Sequence, residues 1–95
     1  MNALASHRSR IAALGCLLCR RGHPGTSGVE LHHCAEQSGK RDPWALVPLC
    51  AEHHRGSSGL HGMGVKAFCG LYRPPGDNEY GLLIWLIEAM AKERK

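Results

Sequence analysis

Leu31-His32-His33-Cys34 and, further along, Pro48-Leu49-Cys50-Ala51-Glu52-His53-His54 are the stretches on which the reading of this chain turns. Cys16-Leu17-Leu18-Cys19 lies upstream of them and His61 downstream. Thiolate and imidazole together favour zinc-like ions, whereas imidazoles with open water positions suit a catalytic divalent metal. So many ligands in 95 residues imply that metals organise the fold.

Working outward, residues 29–34 are extended in character. Strand alternation puts Val29, Leu31 and His33 on one side and Glu30, His32 and Cys34 on the other. Adjacent histidines on a strand therefore face opposite ways, so one can hold an ion while the other does a different task. Residues 44–49 form a second apolar strand-like run, and residues 50–54 open a short helix or turn. There Cys50, His53 and His54 reach inward, though not all to one ion. Strand, loop, strand and helix in that order are the linear image of a hairpin followed by a helix. Such a unit brings one histidine of the strand and one of the helix to a common ion and leaves the other strand histidine free to accept a proton.

The flanks read as helices. Asn2 caps a helix over residues 3–14, with Leu4, Ile11 and Leu14 on one face and Gly15 as its stop. A second helix spans residues 64–72 around Phe68. After the break at residues 73–77, Asp77 or Asn78 caps a C-terminal helix over about 79–92, with Leu82, Leu83, Leu86, Ile87 and Met90 as its buried stripe. Three segments are expected to be loops: residues 20–28, residues 35–43 with Lys40 and Arg41, and the glycine-rich residues 55–64 with His61 at their middle.

A chain of this length is one domain with a small core, for which a structural metal is a common remedy. Twelve basic against eight acidic side chains give a net charge of +4, which favours a polyanionic partner mildly. The first residues are interrupted by His7, Arg8 and Arg10 and lack the apolar run of a signal peptide, and the run at residues 82–87 is too short to cross a bilayer. The expectation is a cytoplasmic protein, away from membranes, with reduced cysteines, in which a C-x-x-C pair signals metal chemistry before a disulfide.

Cys16 and Cys19, with Cys50 and His53, have the spacing of a structural zinc site built from two knuckles. Cys34 and Cys69 are left over as small core residues, Cys34 being also an alternative ligand. His32, His33, His54 and His61 form a second metal-capable group.

These motifs resemble the HNH (His-Me finger) nuclease superfamily. The order Leu14-Gly15-Cys16, Cys19, His32-His33, Val47-Pro48-Leu49-Cys50, His53-His54, Gly56, His61 and Phe68 is more closely similar to the phage and prophage recombination-enhancement nucleases, which depend on RecA. The similarity runs from about residue 11 to 72, with a weaker match at residues 79–83. The resemblance implies that His32 binds the catalytic ion, that His33 is the general base and that His54 is a second ligand; His61 is the choice for a third. The asparagine that orients the base in that superfamily has no counterpart, since the matching region reads Trp44-Ala45-Leu46, and a backbone carbonyl is left to do its work.

The reading is therefore an α+β fold: a small zinc-stabilised ββα-metal domain spanning residues 1–95, with its metal core at about 15–72 and flanking N- and C-terminal helices. The expected function is metal-dependent endonucleolytic hydrolysis of DNA, in partnership with a RecA-type filament. Zn²⁺ would be structural, with Mg²⁺ or Mn²⁺ catalytic. Arg20, Arg21, Lys40, Arg41 and Arg55 border the motifs and are candidates for holding the DNA backbone. The rival is a non-catalytic zinc-ribbon-like module that binds DNA or protein, which would have no need of the second histidine group.

Overall fold

The computed structural model describes residues 2–34 and 42–93. Lys40 and Arg41 lie outside the described residues. Helix α1 (Ala3–Leu14) starts where Asn2 Oδ1 accepts the Ala5 N–H at 2.8 Å, and it stops at Gly15, whose φ of 82° suits glycine. A one-turn helix α2 (Leu17–Arg20) follows, with Cys16 at its N-cap. Strands β1 (Glu30–His33) and β2 (Leu46–Leu49) pair antiparallel, with Glu30 opposite Leu49 and His33 opposite Leu46. Pro48 lacks an N–H, which a two-stranded sheet tolerates because each strand is an edge.

Helix α3 (Ala51–Arg55) leaves β2 directly, and α4 (Leu60–Met63), α5 (Val65–Tyr72), a 3₁₀ turn (Pro75–Asp77) and α6 (Glu79–Glu93) complete the chain. The result is a small α+β fold in which α1, α2 and α6 pack on β2. All four β2 residues are buried, and with Ile11, Leu17, Leu18, Phe68, Leu82 and Leu86 they make the core. Each fully buried aliphatic side chain contributes roughly 1.5–3 kcal/mol. Among the described residues no helix is long and apolar enough to cross a membrane.

Three expectations need correction. Trp44 lies outside the second strand: Asp42 accepts its N–H at 2.8 Å and turns the chain there, leaving Trp44 47% exposed. His61 belongs to the one-turn helix α4, because glycines on either side allow the chain to coil tightly. On α6, Asn78 provides the cap through the Gly81 N–H (3.2 Å), but the buried face is Leu82, Trp85, Leu86 and Ala89. Ile87 is 65% exposed, whereas Trp85 is buried under the Arg21 guanidinium, 4.0 Å above its ring. The buried set follows 3.6-residue periodicity from Leu82; Ile87, one position beyond Leu86, is rotated towards solvent.

Candidate metal centres

Two groups of ligand side chains meet around α3, one through His53 and one through His54. Cys16 is the N-cap of α2 and Cys19 lies within it, Cys50 is the N-cap of α3, and His53 lies on its first full turn. His53 Nδ1 is 3.4 Å from Cys16 Sγ, 3.7 Å from Cys19 Sγ and 3.2 Å from Cys50 Sγ, and the Cys19 and Cys50 sulfurs are 3.8 Å apart. Zinc bonds of about 2.3 Å to sulfur and 2.0–2.1 Å to nitrogen imply tetrahedral edges of roughly 3.5–3.8 Å. Donor set and spacing thus fit a tetrahedral zinc ion.

The surroundings are those of a closed site. Cys16, Cys50 and His53 are buried and Cys19 partly so. Gly25 lies against the ligands: a Cβ there would stand 2.6 Å from Cys50 Sγ and 3.0 Å from Cys19 Sγ. The Thr26 and His53 N–H groups each point at Cys50 Sγ from 3.5 Å. Burial opposes ionisation of Cys50, but the His53 and Thr26 N–H groups, joined by the Thr26 and Cys16 side chains, together outweigh it and bring the thiol down to about 7. Burial, then the neighbouring Cys16, pushes Cys19 up to about 12. Several thiolates so close together need a cation to offset their charge. Burial, aided by the charge of His23, lowers the His53 pKa, which favours the neutral imidazole that a metal requires.

The second group comprises His32 from β1, His54 from α3 and His61 from α4, with one ring nitrogen of each within 4.8 Å of the others. Ring centroids are 5.3 Å apart for His32–His54, 5.1 Å for His32–His61 and 4.8 Å for His54–His61. His33 and Leu31 complete the lining of their pocket, which has a volume of about 200 Å³. Here burial falls off outward: His32 is buried, His54 half-buried and His61 exposed. Three imidazoles with an open side have the chemistry of a site for a catalytic divalent ion.

Two carboxylates hydrogen-bond to these imidazoles, and neither has a role in the sequence analysis. Glu30 Oε1 accepts the His54 Nδ1–H at 2.8 Å, leaving Nε2 for a ligand. Arg55 holds the same carboxylate, Nε lying 3.1 and 3.0 Å from its two oxygens. Arg55, then His54, keeps Glu30 below the ordinary carboxylate range. The local signal was available, since Glu30 is two residues before His32 and shares its strand face. Glu79, at the start of α6, accepts from His32 Nε2. No local pattern announces it, because the pair is 47 positions apart. Cys34 joins His32 and Glu79 in a third buried group of potential ligands, whereas Cys69 lies in the core.

The turn that brings His61 to His54 depends on glycine. A Cβ on Gly59 would come within 2.3 Å of the Glu52 carbonyl oxygen, and one on Gly62 within 1.8 Å of that of Gly56. Glu52 braces the turn by accepting the Ser58 N–H at 2.9 Å together with the Ser57 and Ser58 hydroxyls. The Ser58 hydroxyl and N–H hold its carboxyl below the usual range.

Arg20 and Arg21 lie away from the histidine pocket. Arg20 donates to the Leu14 carbonyl and pairs with Glu93 at 3.1 Å, and with Arg21, Trp85 and Lys92 it lines a separate cleft. Arg55 is at the histidine pocket's edge through Glu30 and His54.

No curated protein and no solved structure shows significant similarity to the chain. A family model described as recombination enhancement, RecA-dependent nuclease matches residues 4–89, nearly the whole length, and the chain belongs to this family of nucleases linked to recombination.

Proposed function

We propose that the protein is a metal-dependent DNA endonuclease of the HNH type, in which β1, β2 and α3 form the ββα-metal unit and the whole chain acts as one domain. The observation that carries this reading is the convergence of His32, His54 and His61 on one pocket that His33 also lines, beside a closed Cys₃His cluster. A module built only to bind would need the closed cluster alone.

His32, His54 and His61 would hold Mg²⁺ or Mn²⁺, which when bound supplies positive charge to the scissile phosphate and to the leaving oxygen. His33 takes a proton from the attacking water, as imidazole exchanges protons near neutrality. Glu30 fixes the His54 ring, and Arg55 fixes Glu30. Lys40, Arg41 and Arg55, with further basic residues such as Arg20 and Arg21, hold phosphates without reading sequence. A RecA-type filament would present the DNA.

The test is a nicking assay on plasmid and single-stranded DNA with Mg²⁺ or Mn²⁺, with and without RecA. Cleavage should require the divalent ion. His33→Ala should keep zinc, fold and divalent affinity yet cut about 10²–10⁴-fold more slowly. Zinc-loaded protein that binds DNA but never cuts it would establish the zinc-ribbon reading instead.

A further inference from the structure

We infer that Glu79 is a positioning residue for the three-histidine centre, its carboxylate setting the tautomer and ring orientation of His32; this rests on the reading of that centre as a divalent-ion site. Glu79 is 3% exposed and His32 5% exposed. A carboxylate so buried costs free energy unless it is paired and hydrogen-bonded. With Glu79 ionised its oxygen only accepts, so His32 carries its proton on Nε2 and keeps the Nδ1 lone pair for a metal. A carboxylate behind a ligand imidazole fixes the ring and raises its basicity.

The backbone of Glu79 is itself fixed. It occupies the first turn of the fifteen-residue α6, where negative charge is favoured. Asn78 caps that helix, and Gly81 lets it abut the Pro74–Pro75 segment, where a Cβ would come within 2.3 Å of the Pro75 carbonyl oxygen. Beyond this start, α6 buries Leu82, Trp85, Leu86 and Ala89 in the core. The carboxylate is thus delivered by a rigid element, and the C-terminal helix becomes a part of the centre as well as a packing element.

The experiment compares the zinc-loaded parent chain with Glu79→Gln, Glu79→Met and His32→Ala. Mn²⁺ affinity is measured by calorimetry, and the His32 tautomer by long-range ¹⁵N–¹H correlation without added Mn²⁺. Both Glu79 variants should retain zinc. Affinity for Mn²⁺ should fall about 10–100-fold in Glu79→Met and less in Glu79→Gln, whose amide oxygen still accepts. The parent His32 should be Nε2–H, and Glu79→Met should populate Nδ1–H. A purely structural Glu79 would leave the tautomer unmoved. Parent-like affinity and tautomer in both Glu79 variants, with Mn²⁺ binding lost in His32→Ala, would overturn the positioning role alone. Parent-like Mn²⁺ binding in His32→Ala would overturn the divalent-ion site itself. Should Glu79→Met fail to fold, Glu79→Ala takes its place in both measurements, parent-like affinity and tautomer there being the overturning result.

Discussion

His53 and His54 are neighbours on one short helix, yet they face two different groups of potential ligands. His53 is buried among three cysteines under Gly25, a group that offers four protein donors. His54 faces two further histidines in a pocket whose outer member, His61, is exposed. A site completed by the protein holds structure, and a site with a side left open can admit water or phosphate. The contrast teaches that closure, rather than ligand type, separates the two, and that α3 is the hinge-pin common to both.

The comparison breaks most visibly at that pair. His53→Ala should lose zinc and cooperative folding together, since structural zinc supplies on the order of 10 kcal/mol in small metal-dependent domains. His54→Ala should keep zinc and its melting transition while losing divalent-ion affinity and cleavage. Metal analysis, thermal unfolding and Mn²⁺ titration of the two variants check this; equal zinc loss in both would erase the division.

A smaller effect is expected at the turn between His54 and His61. Gly62→Ala must displace backbone, because the intruding atom is the Gly56 carbonyl oxygen at 1.8 Å, and it should cost about 1–3 kcal/mol while weakening divalent binding. Gly70→Ala is the control: nothing lies within 4 Å, and within helix α5 it should stabilise by about 0.5–1 kcal/mol. Denaturant unfolding of both variants measures the difference.

The smallest effect concerns Glu30→Gln, which leaves the closed site untouched and should weaken Mn²⁺ binding roughly tenfold. The folded-state pKa of Glu30 lies below the ordinary value of about 4.3, so its stabilising contribution is complete above that pH and is lost as pH falls through the lowered value. Unfolding curves from pH 6 to 3 should therefore fall less steeply for Glu30→Gln than for the parent.

Local chemistry made much of this legible in the sequence. Asn2 and Gly15 bracket α1 because capping is decided by adjacent residues, and the hairpin follows from alternation at Val29 to Cys34. The grouping of Cys16, Cys19, Cys50 and His53 follows from two short-range knuckles, which leave only one long-range pairing to guess. What escaped was long-range or depended on shape. Glu79 meets His32 only because α6 packs across the sheet, and Trp85 is buried where Arg21 covers its ring while Ile87, two positions on, turns to solvent. The helical setting of His61 depended on close backbone approaches at Gly59 and Gly62, which no periodicity reveals.

The glycine turn also bears on how such a centre is recognised in other chains. His54 and His61 are seven positions apart, which in an unbroken helix would separate their Cα atoms by about 10 Å along the axis. Folding back through residues 56–59 instead brings the rings to 4.8 Å. A search for ligand histidines one helical turn apart would pass over this pair, and a spacing rule fitted to it would tolerate no insertion in the turn. The transferable signature is a histidine, a tight glycine turn and a second histidine, with the glycines as diagnostic as the ligands themselves.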